Sequence, residues 1–367
     1  MNKFNFKKFS IRKIDLSSHN VRFLSKYRIW FAVPVVVILI AVICFSIFAA
    51  VNKDAESGMN LGIDFTGGTV MSIPVGGALD DNYGQYRDML TEIVQKAGYH
   101  VGMVQKEGKG ADASIVIKYQ NKDADLKASN QKMKEAVLAN TLFKNAIVDE
   151  DDISLESISA SSARDLLEKA LISLAVIFVV MLVYIAIRFE PWSGISALLA
   201  LIHDVIMMIA MTIIFHVEVN TTYVAAVITI VAYSINNTII VFDRVRENMR
   251  LAPKTGKVPL DTYIEEAVND TFTRSAVSTI TTMIPVFLLG CFGVLSLRQF
   301  AWPIMFGLIA GTYSSLLLAP TIYYLIRTAL MNRKIKKNTA APTDKPKKKK
   351  DDDASDVMSL RKRNNNA

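Results

Sequence analysis

The sequence predicts a multi-pass α-helical membrane protein with six transmembrane helices and one α+β domain between the first two helices. The chain has 367 residues, of which 51% are hydrophobic, and its mean hydropathy of +0.29 is high for a soluble protein of this size. The hydrophobic residues are gathered into long runs rather than spread periodically, and a polar stretch over residues 52–163 separates the first run from the others. These features favour a membrane fold that carries one soluble domain.

Six apolar runs are long enough to cross a bilayer, whose core of about 30 Å requires roughly 20 residues of helix. They lie near Ile29–Val51, Glu168–Ile187, Ile195–Phe215, Thr222–Phe242, Ala276–Leu295 and Pro303–Ile326. We assign residues 29–51 to the first helix and residues 164–330 to a five-helix region with a cytoplasmic loop at about 243–273. The first run is longer than the apolar core of a cleaved signal peptide, which is about 7–15 residues, so an uncleaved anchor is favoured over a cleaved leader.

Basic residues predict the orientation, because short cytoplasmic segments carry an excess of Lys and Arg. These residues are concentrated in the N-terminal segment 1–28, between Arg244 and Lys257, and in the tail 331–367. Both termini are therefore expected in the cytoplasm, and residues 52–163 are expected outside. The net charge of +8 favours contact with anionic lipid, and no nucleic acid is expected as a partner. The tail, rich in Lys, Asp and Asn, is expected to be disordered.

Residues 52–163 show the periodicities of a small soluble domain. Strands are predicted at Thr69–Val75, His100–Lys106, Ser114–Gln120 and Asp152–Ser159, and helices at Tyr83–Ala97 and around Leu126–Val137. The order strand–helix–strand–strand–helix–strand is typical of a ferredoxin-like domain. No nucleophile–base pair, phosphate loop or ligand cluster is recognisable there. A binding or moving module is therefore predicted, rather than an enzyme.

The two cysteines, Cys44 and Cys291, both fall inside apolar runs. Their positions favour neither a disulfide framework nor a metal site, and no cofactor is expected.

A glycine-rich segment, Gly62–Thr69, stands between the first apolar run and the first strand. Gly67 and Gly68 permit positive φ and close backbone approach, and Asp64 can accept hydrogen bonds from a turn. One interpretation is a tight connecting turn. The other is a hinge or interface between the soluble domain and the membrane helices.

Polar side chains within the apolar runs are the candidate functional residues. His203 and Asp204 lie near the middle of the third run, where a carboxylate costs about 2.5–3.5 kcal/mol on insertion scales. Asn236 and Asn237 lie in the fourth run, and Arg274 precedes the fifth. The functional hypothesis is an ion-coupling network. The alternative is a set of structural hydrogen bonds between helices.

Two further patterns accompany these residues. Asp243, Arg244, Arg246 and Glu247 form a charged cluster at the cytoplasmic exit of the fourth run, where weak neighbouring ion pairs are expected. Gly307 and Gly311 form a G-x-x-x-G pair in the sixth run, which favours close helix packing.

Several of these motifs occur together in one order along the chain. Gly-Ile-Asp-Phe-Thr-Gly-Gly-Thr begins at Gly62, Ala-Leu-Ile-His-Asp-Val ends at Val205, and Tyr-Ser-Ile-Asn-Asn-Thr-Ile-Ile-Val-Phe-Asp-Arg-Val-Arg-Glu-Asn begins at Tyr233. With Arg274 and the later Gly311–Ser315, this set resembles the SecF branch of the SecD/SecF family of bacterial protein-export membrane proteins, which is related to the RND transporter superfamily.

The resemblance implies a six-helix half of an RND-type bundle in the bacterial cytoplasmic (inner) membrane. It implies partnership with SecD and the SecYEG channel, an indirect relation to the ATPase SecA, and preproteins as substrates. The implied activity is assistance to preprotein export driven by ion motive force.

The sequence departs from the family pattern at three places. Asn237 stands where the family usually has an aspartate, Ala232 where it has a glycine, and Ser159–Ala163 replaces a Gly-Pro-x-x-Gly-like element. The missing carboxylate is the one usually assigned to ion relay. Coupling through Asp204 and groups on SecD, cation binding by neutral oxygens, and support of export without ion conduction all remain open. An RND-type exporter half for lipid or small hydrophobic molecules, or a structural stabiliser of the channel, are the alternative functions.

Overall fold

Six long apolar helices make up most of the fold. The computed structural model describes residues 22–52, 58–121, 125–147, 152–251 and 259–340. The membrane helices are α1 (Tyr27–Asn52), α5 (Ala160–Arg188), α6 (Pro191–Ile214), α7 (Thr221–Leu251), α8 (Leu260–Phe292) and α9 (Leu295–Tyr313), the last continued by a π-helical turn (Ser314–Leu318) and by α10 (Ala319–Ala340). Six helical segments of the described residues are long and apolar enough to span a membrane, which confirms the predicted multi-pass helical fold.

The soluble domain lies between α1 and α5. Its elements are β1 (Gly68–Pro74), α2 (Ala78–Lys96), β2 (His100–Glu107), β3 (Ser114–Gln120), α3 (Leu126–Leu138), α4 (Thr141–Ala146) and β4 (Ser154–Ile158). The four strands form one sheet in the order β2-β3-β1-β4, and every neighbouring pair is antiparallel. The short helix α4 was not predicted from the sequence, because six residues carry too little periodicity to distinguish a helix from a loop.

Alternation along the strands builds the core of this domain. Met71 and Ile73 on β1 and Ile115 and Ile117 on β3 point to the same side of the sheet and are fully buried. The helices cover that side with Tyr86, Leu90 and Val94 of α2, Met133 and Val137 of α3, and Phe143 of α4. This core holds the sheet rigid beside the membrane helices.

In the membrane region, α7, α9 and the π-helical turn lie at the centre of the bundle. Their buried residues, such as Ile230 and Val231 of α7 and Leu308 of α9, belong to one hydrophobic core. In contrast, α1 and α5 expose long rows of apolar side chains, among them Val36, Leu39, Leu171 and Val179. Exposed apolar rows on a membrane helix are surfaces that lipid or another subunit covers.

The helix boundaries differ from those predicted at the start of α5, in the charged loop and in the tail; α5 begins at Ala160, before the predicted Glu168. The segment expected as a loop at about 243–273 is helical in its described residues, because α7 continues to Leu251 and α8 begins at Leu260. The charged residues there lie on helix surfaces that extend beyond the apolar runs, and hydropathy does not detect such extensions. Residues 331–340 of the expected tail are part of α10, whereas residues 341–367 lie outside the described residues.

The contacts place the described residues up to Leu325 in one compact unit, and a second unit begins at Ile326.

Candidate functional site

Asp204 lies at the centre of the bundle and is fully buried. It belongs to the inward stripe of α6, which also carries Ala197, Ala200, Leu201 and Met208 at helical spacing. The small residues of this stripe allow α6 to approach its neighbours closely. The carboxylate is therefore held between helices, which is the usual position of an ionisable group in an apolar helix.

Two serine hydroxyls donate hydrogen bonds to the same oxygen of Asp204. One is Ser234 of α7, and the other is Ser314 of the π-helical turn, whose Oγ lies 2.8 Å from Asp204 Oδ2. Both serines are buried, at 1% and 0% exposure. The carboxylate thus joins three separate helical segments.

His203 contacts the other carboxylate oxygen of Asp204. Its Nδ1 lies 3.0 Å from Asp204 Oδ1, and its ring stacks on Tyr313 with the ring centres 6.2 Å apart. Its Nε2 is buried and has no hydrogen-bond partner among the described residues. His203 is therefore one of the three side chains that contact the Asp204 carboxylate directly among the described residues.

The hydrogen bonds available in this arrangement depend on the protonation state of Asp204. An ionised carboxylate only accepts hydrogen bonds, whereas a protonated one must also donate one. Protonation at Oδ2 therefore requires Ser234 or Ser314 to turn from donor to acceptor or to move away. A proton bound at Oδ2 would thus change the hydrogen bonds among α6, α7 and the π-helical turn.

The other predicted network residues make no hydrogen bond with Asp204 among the described residues. Asn237 is buried at 1% exposure, and its Nδ2 has no hydrogen-bond partner among the described residues, while Asn236 is exposed on the outer face of α7. Arg274 is exposed on α8. These residues were predicted to form one network because all of them are polar, but their side chains point in different directions around the helices.

The charged cluster lies where α7 and α8 continue beyond the apolar core. Arg244 binds Asp270 of α8 at 2.8 Å and Glu247 at 2.7 Å, and Asp243 binds Arg188 of α5 at 2.6 Å. Arg274 lines the same groove, which has a volume of about 690 Å³. Arg246 lies on a different side, next to Glu190 and Tyr323. These exposed pairs tie helix ends together and contribute little stability singly.

Gly307 and Gly311 form the contact between α9 and α7. A Cβ atom added at Gly307 would lie 2.4 Å from Ile230 Cγ1, and one at Gly311 would lie 3.2 Å from Ser234 Cβ. The close approach at Gly311 is therefore what allows both Ser234 and the neighbouring Ser314 to reach Asp204.

The glycine-rich segment joins the soluble domain to the bundle. Asp64 Oδ2 accepts hydrogen bonds from the backbone N–H and the hydroxyl of Thr221, at 2.9 and 2.7 Å, and so caps the first turn of α7. Gly67 has φ of +77°, and a Cβ atom there would lie 3.1 Å from Ala160 Cα at the start of α5. A Cβ at Gly68 would lie 2.6 Å from Tyr119 O. The segment contacts the membrane helices directly, beyond what a connecting turn requires.

The sequence analysis identified neither Ser234 nor Ser314 as a hydrogen-bond partner of Asp204. It also missed Glu218, which lies in the turn between α6 and α7 and is 4% exposed. Serines and a single glutamate in a turn carry no distinctive pattern, so only the fold reveals them.

Two parts of the chain match known protein families. The family description "Protein export membrane protein SecD/SecF, C-terminal" matches residues 138–329, and the "SecD/SecF GG Motif" matches residues 56–78, which include Gly67 and Gly68. The chain belongs to the SecD/SecF family. This membership makes it an auxiliary subunit of the Sec protein translocase, as the sequence predicted.

Within the SecD/SecF family, the chain is similar to protein translocase subunit SecF of Sebaldella termitidis, with 34% identity over 300 residues that cover 81% of this chain and 90% of the relative. It is also similar to SecF of Calditerrivibrio nitroreducens, with 32% identity over 311 residues that cover 84% of this chain and 95% of the relative.

The fold resembles the crystal structure of SecDF, a translocon-associated membrane protein from Thermus thermophilus, with a TM-score of 0.64 and 24% identity. The alignment covers 87% of this chain but only 40% of the SecDF chain. This SecD/SecF family member therefore matches less than half of that longer protein.

Proposed function

We propose that this subunit works with SecD beside the SecYEG channel and helps to draw preproteins outward after the ATPase SecA has begun their transport. The family membership supports this proposal, as does the alignment to only 40% of the SecDF chain. The remaining half of a pseudo-symmetric RND-type bundle would then come from SecD.

The outer faces of α7 and α8 are the proposed surface for SecD. Asn236 exposes an amide within a membrane helix, and Ser278 and Thr281 are exposed polar residues on α8. An amide that faces lipid lacks a hydrogen-bond partner and costs free energy. A partner helix with polar side chains would remove that cost.

Asp204 is the proposed ion-coupling residue, and the observation that carries this proposal is its burial beneath two serine donors from different helical segments. One charge moved through 100 mV provides about 2.3 kcal/mol. That amount is sufficient to change which hydrogen bonds the carboxylate makes, and so to shift α7 and the π-helical turn against α6. Asn237 cannot titrate, so the proposal assigns the relay to Asp204 with groups of SecD.

We place the protein in the bacterial cytoplasmic membrane with both termini in the cytoplasm. Residues 52–163 would form a ferredoxin-like extracytoplasmic domain that holds or guides the emerging polypeptide. The strand order β2-β3-β1-β4, with helices in both crossovers, supports this classification. The basic residues Lys345–Lys350, which lie outside the described residues, would contact anionic lipid.

The test is reconstitution of this subunit with SecD and the channel in vesicles, with preprotein translocation measured with and without imposed proton and sodium gradients. We expect Asp204→Asn to abolish the gradient-dependent part of translocation and to leave complex assembly intact. Asp88→Asn, which removes an exposed carboxylate of the soluble domain, is the matched control and should behave as the wild type.

Unchanged gradient dependence in Asp204→Asn, with intact assembly, would favour a structural stabiliser over an ion-coupled subunit. Asn237→Asp tests the departure from the family pattern. Added gradient dependence in that variant would mean that the native chain has lost the usual relay, whereas an equal response would place the relay elsewhere.

A further inference from the structure

A buried polar chain connects the sheet of the soluble domain to the membrane helices. Lys118 of β3 extends its Nζ to Glu218, at 2.7 Å from Oε1 and 3.0 Å from Oε2. Gln299 Nε2 of α9 donates to Glu218 Oε2 at 2.6 Å, and Gln299 Oε1 accepts from Asn220 Nδ2 at 2.9 Å. We call Lys118, Glu218 and Gln299 the latch.

The three latch side chains are largely buried. The side chains of Lys118 and Glu218 are 15% and 4% exposed, and Gln299 is 7% exposed. Removing a pair of charges from water costs free energy, so a buried ion pair is weak evidence for stabilisation of the fold. The presence of the Lys118–Glu218 pair therefore requires another explanation. Positional specificity is one such explanation. The hydrogen bonds of Glu218 are all formed only when β3, the α6–α7 turn and α9 hold one relative arrangement.

The turn that carries Glu218 is also held by backbone contacts. Gly62 N donates to Val219 O at 2.8 Å, and Val219 N donates to Asn60 O at 3.0 Å. These bonds join the start of the glycine-rich segment to the α6–α7 turn, and the latch is the polar connection between that turn and β3.

Two of the latch residues, Glu218 and Gln299, lie near the beginnings of α7 and α9, the helices that lead to the partners of Asp204. The turn with Glu218 continues directly into α7, which supplies Ser234. Gln299 lies in the first turns of α9, which continues into the π-helical turn with Ser314. A displacement of α7 at Asp204 would thus reach Glu218 through one continuous helix, and a displacement of the π-helical turn would reach Gln299 through α9, whose hydrogen-bond ladder is interrupted at Pro303.

We propose that Lys118, Glu218 and Gln299 are positioning residues that transmit displacements of α7 and α9 to the soluble domain. This inference rests on the proposed role of Asp204. In the proposed transmission, the rearrangement at Asp204 shifts the ends of α7 and α9. The buried Glu218 then carries that shift to β3 through Lys118.

The test uses the full-length chain reconstituted with SecD and the channel. Spin labels are placed at Lys132→Cys on α3 and Ser296→Cys at the start of α9, after Cys44 and Cys291 are replaced by alanine. Their distance distribution is measured with Asp204 intact and with Asp204→Asn, which mimics the protonated carboxyl. The two measurements are repeated in Glu218→Gln, in Lys118→Met and in the control Lys106→Met, which breaks an ion pair with Asp80 inside the soluble domain.

With the latch intact and in Lys106→Met, we expect Asp204→Asn to shift the distance distribution. In Glu218→Gln and Lys118→Met, that shift should vanish, and the gradient-dependent part of translocation should fall at least about fivefold, the lower range of typical coupling between sites. The exchange Lys118→Glu with Glu218→Lys should restore part of both signals.

A shift that persists in Glu218→Gln, or no shift when the latch is intact, overturns the proposal. Failure of the proposed ion coupling would instead appear as gradient-independent translocation by the wild type. The two failures are therefore distinguishable. Equal thermal unfolding midpoints in Glu218→Gln and Lys106→Met would show that loss of transmission does not reflect general unfolding.

Discussion

At the scale of single residues, the direction in which a side chain points decides its role. Asn236 and Asn237 are adjacent and chemically identical, yet one faces outward and the other is buried. Consecutive residues on a helix differ by about 100° in direction, so a polar pair in sequence is not a pair in space. The same geometry brings Ser234, three positions before Asn237, to Asp204.

Tyr119 provides a pH-dependent prediction at this scale. It is fully buried on β3, and burial raises the pKa of its phenol from 10 to about 12. A folded-state pKa above the unfolded value means that this stabilisation is complete below about pH 10 and is lost as the pH rises towards about 12. We expect Tyr119→Phe to reduce the alkaline destabilisation of the soluble domain in that window.

The measurement is alkaline unfolding of the full chain in detergent, followed by circular dichroism and tyrosinate absorbance. Tyr83→Phe, on the partly buried face of α2, is the control. An alkaline transition that is identical in Tyr119→Phe and wild type would contradict the prediction.

At the scale of elements, the contact between α7 and α9 organises the site. The G-x-x-x-G pair predicted close packing but did not identify the partner helix. Ile230 and Ser234 fill the space above the two glycines. Because a protein interior is densely packed, a methyl group added at that contact must displace a side chain or a helix.

Gly307→Ala is therefore expected to destabilise the bundle by about 1–3 kcal/mol, the usual cost of overpacking. The measurement is the free energy of unfolding in mixed micelles. Gly290→Ala is the matched control, because a Cβ atom there would lie 3.4 Å from Trp302, at ordinary contact distance.

Ile230→Ala combined with Gly307→Ala gives a second measure of the same contact. Since Ile230→Ala removes the clashing atoms, the double variant should lose less stability than the sum of the single variants. Strict additivity would mean that the two residues do not touch.

At the scale of the whole molecule, the proposed orientation places the soluble domain and the C-terminal tail on opposite sides of the membrane. We expect Lys132→Cys, in a background without Cys44 and Cys291, to react with a membrane-impermeant maleimide in intact cells. Lys347→Cys should react only after the membrane is opened. Labelling of both positions in intact cells would overturn the orientation and, with it, the proposed outward pull on preproteins.

The sequence by itself determined that the chain crosses a membrane with six helices, and its ordered motifs determined the family. Helix length and apolar content are local properties, and the ordered motifs are read directly along the chain. Hence Tyr27–Asn52 agrees closely with the first predicted run, whereas α5, α7 and α8 extend beyond theirs at their polar ends. Only the tertiary structure decided which polar groups meet. Asp64 caps a helix that begins at Thr221, and Lys118 pairs with Glu218, because folding brings together residues that no local pattern relates. Hydrogen bonds and ion pairs depend on distances of a few ångström between separate segments, and those distances exist only once the helices have packed.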